Sequence, residues 1–436
     1  MNKKYFGTDG IRGVAFSKLN SELAFRVGIA IAKVFKPETI VIGQDTRKSS
    51  NMLAYSVALG ASTLGVSVKL AEVVSTPMLA YYSKEKNMIG VMITASHNPY
   101  QDNGIKIFKY GYKMLDEEEL AVEKIIDEAI SISDANLGLV TLTNEVTEIY
   151  EAYYETLHLP QTNLKIAIDT ANGATYKIAP RMFSNYSNNY YQIGNIPDGE
   201  NINLNVGSTH LDAIIEKVKE TKSDLGFSYD GDGDRILVVD QNKVYDGDMI
   251  IYIIAKYLKE KNLLKKDTVV LTKMSNPGII KSFNKLGIKV SLTDVGDKYV
   301  SNEIMTNGYS IGGENSGHII LNDLLPSGDG VLVSLFITKI LTESKMTLAS
   351  YTKDLEIYPQ KLINIKNVDT NILSHKDIIN ALEEAKKELG EDSLLLVRKS
   401  GTEPLVRVTV SHKDELVLNK VITKLVDLIT KLGALK

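Results

Sequence analysis

The chain contains no cysteine, which excludes disulfides, thiolate metal sites and cysteine nucleophiles and predicts a cytoplasmic setting. Its formal net charge is only −4, so neither a basic surface for nucleic acid nor a polybasic membrane anchor is expected. Long apolar runs are missing too. The longest nearly apolar segments, such as 249–255 and 331–337, fall far short of the ~20 residues a membrane helix needs, so no membrane insertion is expected. The first thirteen residues carry no apolar core of the kind a secretory signal requires.

Arginine is scarce: seven of the 50 basic residues. Arginine grips phosphate with a planar, bidentate fork, whereas lysine offers a mobile point charge. A lysine-rich chain should therefore keep arginine where the fork matters. Four of the seven, Arg12, Arg235, Arg398 and Arg407, fall inside or just after glycine-rich motifs.

What is present reads as a large α/β protein. A chain of 436 residues exceeds a single core and predicts roughly two to four domains. An apolar run followed by a polar Gly/Asn/Ser loop recurs at 39–47 (TIVIGQDTR), 164–173 (LKIAIDTANG) and 268–276 (TVVLTKMSN). Each is followed, some way on, by a second strand-like run ending in a richer loop: 88–99 (MIGVMITASHNP), 224–235 (DLGFSYDGDGDR) and 309–318 (YSIGGENSGH). Continuous apolar runs suit strands buried on both faces, and a threefold recurrence predicts three related α/β domains. Loops beyond the carboxyl ends of such strands are where ligands bind. Helical spacing predicts helices over 249–264, 416–432 and 117–130, the last capped by Asp116. The final ~70 residues alternate strand, helix, strand, strand and helix, a smaller α+β domain.

The loops carry the chemistry. In Thr94-Ala95-Ser96-His97-Asn98-Pro99 a serine sits on a tight turn after a buried strand. It suits either a nucleophile that receives and returns a phosphoryl group, with His97 beside it, or a simple hydroxyl-stabilised turn. No G-x-S-x-G elbow supports a hydrolase triad. In Asp230-Gly231-Asp232-Gly233-Asp234-Arg235, three carboxylates alternating with glycine can converge on one hard cation or form a solvated acidic turn. An EF-hand is excluded, because Arg235 follows the third acid and Gln241 stands at position twelve. Three carboxylates leaving positions for phosphate oxygens suit Mg²⁺ in phosphoryl transfer. The loop Gly312-Gly313-Glu314-Asn315-Ser316-Gly317-His318 offers short polar groups to sugar hydroxyls, although glycine-rich loops are common. Arg398-Lys399-Ser400-Gly401-Thr402-Glu403-Pro404, with Arg407 beyond, reads as a phosphate cradle or an ordinary hairpin loop. The run Phe6-Gly7-Thr8-Asp9-Gly10-Ile11-Arg12-Gly13 adds a second arginine-bearing glycine loop.

In this order the five motifs resemble the α-D-phosphohexomutase superfamily from Tyr5 to about His412. The resemblance implies a heart-shaped α/β protein around a central cleft. Three related α/β domains with mixed sheets (1–155, 156–247, 248–362) would precede a smaller C-terminal α+β domain (363–436). It implies Ser96 as phosphoserine, and Asp230, Asp232 and Asp234 as Mg²⁺ ligands with the Ser96 phosphate. Arg12 and Lys106 would move protons or stabilise charge near the transferring phosphate. Glu314, Asn315, Ser316 and His318 would meet the sugar, and Arg398, Ser400, Gly401, Thr402 and Arg407 the non-reacting phosphate. The implied partners are a phosphosugar substrate, a sugar bisphosphate intermediate or activator, a second copy of the chain in a homodimer, and a diadenylate cyclase.

Within the superfamily the likeness is strongest to the bacterial branch that interconverts glucosamine 6-phosphate and glucosamine 1-phosphate for cell-wall precursors. It rests on FGTDGIRG, on Asn205-Val206-Gly207-Ser208-Thr209-His210, on Met274-Ser275-Asn276, on Val295-Gly296-Asp297, on RKSGTEP and on Asn315, where glucose- and mannose-phosphate members usually carry Met. Those members are the alternative reading. Leu325-Pro326-Ser327, Pro277, Lys298 and Val206 depart from the usual pattern and bear on substrate preference more than on chemistry. A phosphatase would use the same serine and metal but release phosphate to water, and a non-catalytic phosphosugar binder would need a broken motif.

Overall fold

The structure, a computed structural model, describes residues 3–7, 9–129, 137–399 and 405–434. It resolves into two compact units, Met1–Ile250 with Ser316–Leu348, and Ile251–Asn315 with Ala349–Lys436.

In the first unit an eight-stranded mixed sheet runs in the order Phe6–Gly7, Gly10–Val14, Asp102–Lys109, Ile89–Ile93, Thr39–Gln44, Ser67–Val73 and Val140–Leu142, with Tyr112–Lys113 paired to Asp102–Lys109. Thr39–Gln44 lies parallel to both Ile89–Ile93 and Ser67–Val73. Its Ile40, Val41 and Ile42 are buried, as a continuous apolar run in a covered sheet requires. Helices Ser21–Phe35 and Ser50–Ser62 pack backbone to backbone through Gly28 and Gly60. A Cβ on Gly28 would lie 2.1 Å from the Val57 carbonyl oxygen. A second sheet orders Tyr190–Ile193, Ile166–Asp169, Leu225–Tyr229, Ile236–Val239 and Val244–Tyr245, the first three strands parallel and the rest antiparallel.

In the second unit Lys289–Thr293, Thr268–Thr272 and Ile311–Gly313 are parallel neighbours. Gln360–Lys366, Leu405–Ser411 and Leu394–Lys399 form a separate antiparallel sheet, whose apolar side packs on helices Lys376–Leu389 and Glu415–Gly433. The three-fold recurrence is therefore structural. In each case the first run and its later partner are adjacent parallel strands: 39–44 with 89–93, 166–169 with 225–229, and 268–272 with 311–313.

Two helix expectations change. Asp116 is the first residue of helix Asp116–Ile126 rather than its cap, and ion-pairs with Lys3 Nζ at 2.7 Å. Leu115 takes the cap position, its backbone N–H donating to Glu118 Oε2. Residue 130 lies outside the described residues. The helix expected over 249–264 runs Gly247–Glu260 and stops because Asn262 adopts a left-handed backbone, φ 58°. Pro277, unusual as a sequence feature, occupies the first turn of helix Pro277–Lys285, where its missing N–H costs nothing, behind an Asn276 side-chain cap.

Candidate active site

Within the first unit, two strand ends meet the metal-type loop. Ser96 follows Ile89–Ile93 and Asp230 follows Leu225–Tyr229, each just past the carboxyl end of its strand. Ser96 Oγ donates to Asp230 Oδ2 at 2.5 Å and lies 3.2 Å from His97 Nδ1. Ser96 is buried and holds φ 53°, a left-handed backbone seldom adopted by a residue with a side chain. Gly231 must be glycine for the two loops to dock, since a Cβ there would sit 2.6 Å from the Ser96 carbonyl oxygen.

The carboxylates of Asp230, Asp232 and Asp234 are buried, with ligand-type oxygens all within 4.8 Å of one another. Burial first, then repulsion from Asp232 and Asp234, pushes Asp230 well above the usual carboxylate range. Among the described residues, Asp232 Oδ1 and Asp234 Oδ1 are buried without a hydrogen bond. Unsatisfied oxygens at the centre of a repelling acidic cluster are what a metal cation would satisfy, so the residues fit one. Lys106 supplies positive charge here, with Nζ 2.8 Å from Asp232 Oδ2, 3.2 Å from Asp234 Oδ2 and 3.1 Å from Asp9 Oδ2. Burial opposes its charge, but Asp232, Asp234 and Asp9 hold Lys106 well above the usual lysine range.

Arg12, on Gly10–Val14, ion-pairs with Asp9 and reaches toward the Ala95 carbonyl at 3.5 Å. His97 is driven down to about 3 by burial and then by Arg235 and Arg12, so its ring is neutral at physiological pH. His318 is buried with Nδ1 3.6 Å from Asp234 Oδ1. Ser316 is half-buried, and its Oγ has no hydrogen bond among the described residues.

In the second unit Glu314 Oε1 accepts the Gly296 N–H at 3.0 Å, and Asn315 is half-buried beside Glu314 in sequence. Arg398 and Arg407 stand directly opposite each other on neighbouring antiparallel strands. Desolvation and then Arg407 lower Arg398, while Glu314 partly offsets them. Like charges placed face to face are unfavourable unless an anion lies between them or beside them. Ser400, Gly401 and Thr402 lie outside the described residues.

Three residues of the first-unit cluster are not marked out by the sequence. Arg47, one of the scarce arginines, is buried beneath the serine loop and paired with Asp45 at 2.8 Å. Asn203 donates to the Ser96 and Asn98 carbonyls. Asp9 joins Lys106, Arg12 and Lys113. Burial opposes ionisation of Asp9, but those three cations hold it well below the usual carboxylate range. The available signals were Asp9 within the arginine-bearing glycine loop and Arg47 at the end of a recurrent strand motif. Neither reveals its partners. Among the described residues, no helix is long and apolar enough to cross a membrane.

Sequence profiles for the phosphoglucomutase/phosphomannomutase family match four segments in order. They are α/β/α domain I over residues 3–132, domain II over 146–243, domain III over 246–358 and the C-terminal domain over 362–428. The phosphoglucosamine mutase of Oceanobacillus iheyensis is 42% identical over 94% of this chain and 95% of its own length. That of Bacillus velezensis is 41% identical over 99% of both. Among solved structures, a phosphoglucomutase/phosphomannomutase family protein from Burkholderia thailandensis superposes with TM-score 0.83 at 21% identity, covering 99% of this chain and 98% of that one. Aspergillus fumigatus N-acetylphosphoglucosamine mutase, solved with GlcNAc-6P and magnesium, gives TM-score 0.71 at 15% identity over 99% and 96%. Four family domains in order, and relatives above 40% identity along nearly the whole chain, make this protein a phosphohexomutase of the phosphoglucomutase/phosphomannomutase family, in the branch of the bacterial phosphoglucosamine mutases.

Proposed function

We propose that this chain interconverts glucosamine 6-phosphate and glucosamine 1-phosphate through a phosphate carried on Ser96 and a hexosamine bisphosphate intermediate, supplying cell-wall precursor synthesis in the cytoplasm. The observation that carries this reading is the contact of a buried serine hydroxyl with a carboxylate of a three-aspartate cluster, 2.5 Å from Ser96 Oγ to Asp230 Oδ2. Substrate identity rests on the relatives' names and on Asn315.

Ser96 Oγ is the carrier: its phosphate passes to the free hydroxyl of the sugar monophosphate, and the bisphosphate, turned end for end, returns its other phosphate to Oγ. Asp230, Asp232 and Asp234 would hold Mg²⁺, with the Ser96 phosphate as a further ligand; when bound, Mg²⁺ draws charge from the phosphoryl oxygens. Lys106 is firmly protonated and Arg12 permanently charged, so both stabilise the transferring group. His97, neutral at this pH, is a hydrogen-bond partner for Ser96 Oγ. Glu314, Asn315, Ser316 and His318 meet the sugar hydroxyls in this reading, and His318 Nδ1 also lies 3.6 Å from Asp234 Oδ1. Arg398 and Arg407, with Ser400, Gly401 and Thr402, hold the phosphate that does not react.

The same reading divides the chain into domains 1–155, 156–247, 248–362 and 363–436. It also includes a homodimer and an association with a diadenylate cyclase, which light scattering and co-purification test. The deciding experiment is a panel of 1- and 6-phosphates of glucosamine, glucose, mannose and N-acetylglucosamine. Highest kcat/KM on glucosamine phosphates is expected. Equal or higher kcat/KM on glucose or mannose phosphates would replace the substrate assignment with a phosphoglucomutase/phosphomannomutase one.

A further inference from the structure

Among the described residues, the side-chain hydrogen bonds of Arg47 go to Asp45 and to the serine loop rather than to the three aspartates. The parallel pairing of Thr39–Gln44 with Ile89–Ile93 ends both strands at the same edge. The Asp45 N–H continues the pairing to the Ile93 carbonyl at 3.0 Å. The segment after the first strand is thereby laid under the loop after the second. Asp45 accepts from the Arg47 backbone N–H at 3.0 Å, from Arg47 Nε at 2.8 Å and from Ser50 Oγ at 2.8 Å. The guanidinium is thus neutralised and its plane is set.

Its remaining nitrogens go entirely to backbone. Arg47 Nη2 donates to the carbonyls of Ser96 at 2.9 Å and Asn98 at 2.8 Å. Nη1 donates to those of Asp102, at 3.1 Å, and Pro99. Four carbonyls between residues 96 and 102 therefore converge on one buried cation. Both side chains of the Asp45–Arg47 pair are fully buried. A lysine has one nitrogen and no plane, so it cannot span four carbonyls in fixed directions. Asn203 adds donors to two of the same carbonyls, at 2.9 and 3.1 Å.

We infer that Arg47 is the positioning residue of the phosphoryl carrier: it holds the serine loop so that Ser96 keeps its left-handed backbone and aims Oγ at Asp230. The inference rests on Ser96 as the carrier. A serine at φ 53° relaxes to an ordinary backbone unless its surroundings over-determine it. Such a relaxation would swing Oγ off Asp230. Transfer between Ser96 and a sugar hydroxyl is sensitive to displacements of about 1 Å, which cost about 100-fold in rate. Arg47 touches neither sugar nor phosphate in this role, so its loss should appear in kcat and not in KM.

The test uses the full chain with Mg²⁺ and glucosamine 1-phosphate. Arg47→Lys, folded by circular dichroism, should lose about 100-fold in kcat with KM unchanged. A folded Arg47→Lys with wild-type kcat would overturn the inference, as would a loss confined to KM. If Arg47→Lys does not fold, Asn203→Gly takes its place. It keeps the left-handed backbone at φ 60° and removes the buried side chain that donates to the Ser96 and Asn98 carbonyls. It should lower kcat about tenfold at unchanged KM, and a wild-type kcat there overturns the inference. Ser96→Ala run alongside separates the two readings. An active Ser96→Ala sinks the carrier assignment, whereas an inactive one beside a fully active Arg47→Lys sinks only the role of Arg47.

Discussion

Ser96 Oγ and Asp230 Oδ2, 134 positions apart in the chain, are joined by a hydrogen bond of 2.5 Å. The hydroxyl proposed to carry the phosphate thus meets a carboxylate of the aspartate cluster directly. Replacing Ser96 with Ala should remove the carrier and lower turnover by roughly 10³-fold or more, with the fold intact. Intact-protein mass should show one phosphate on the wild type that the variant lacks. Near-normal mutase activity in Ser96→Ala would refute the assignment.

The three aspartates should behave as a unit. Asp230→Asn, Asp232→Asn and Asp234→Asn should each cost nearly as much activity as the triple change. Chelation should abolish activity and Mg²⁺ should restore it. Because burial and its two neighbours raise Asp230, Asp230→Asn should also stabilise the metal-free protein while losing the rise in Tm that Mg²⁺ gives the wild type. Full activity after exhaustive chelation would dismiss the metal.

A pH signature belongs to Asp329, the cap of helix Gly330–Ser344. Its Oδ2 accepts from Tyr150 at 2.6 Å and Tyr154 at 3.0 Å, and burial raises it from 3.8 to about 6. A carboxylate raised on folding binds its proton more tightly in the folded state. Its contribution therefore becomes more favourable as pH falls from above 6 toward 4, by at most about 3 kcal/mol for a gap of about two units. Asp169, also raised to about 6 by burial, acts in the same direction. Asp329→Asn should reduce, without abolishing, the dependence of Tm on pH between 4 and 7. An unchanged slope would remove Asp329 from the account.

The facing arginines of the C-terminal sheet give a binding signature. Like charges directly opposite on neighbouring strands are destabilising, and Glu314 offsets only part of the effect of Arg407 and desolvation on Arg398. Inorganic phosphate should therefore raise the wild-type Tm more than that of Arg407→Gln. The same variant should raise KM for glucosamine 1-phosphate at least about tenfold while changing kcat little. A wild-type KM in Arg407→Gln would show that the pair does not hold substrate phosphate.

Asn315 offers a donor and an acceptor where a methionine offers only a weakly accepting thioether. An amino group and a hydroxyl at C2 differ little in size, but leaving a buried partner unpaired costs roughly 1–3 kcal/mol, about 5- to 150-fold. Wild type should prefer glucosamine 1-phosphate over glucose 1-phosphate in kcat/KM, and Asn315→Met should narrow that ratio. An unchanged ratio would place the discrimination elsewhere.

Sequence alone determined what depends on neighbours in the chain. Alternating Asp and Gly at 230–234 announces a cation loop because spacing and backbone freedom are local properties. The paired apolar runs at 39–47 and 88–99 announce buried parallel strands for the same reason. Helix ends at Asp116 and Asn262 were read less well, since single residues there weigh capping against ion pairing and against a left-handed turn. Only the tertiary structure decided the roles of Arg47, Asn203 and Asp9. Their partners are backbone carbonyls and charges brought together by strand pairing across tens to more than a hundred residues, and no periodicity records a guanidinium whose ligands are peptide groups. The protonation of His97 was likewise decided by the fold, because burial and the nearby Arg235 and Arg12, none of it evident from the residues beside it in sequence, push its ring down to about 3.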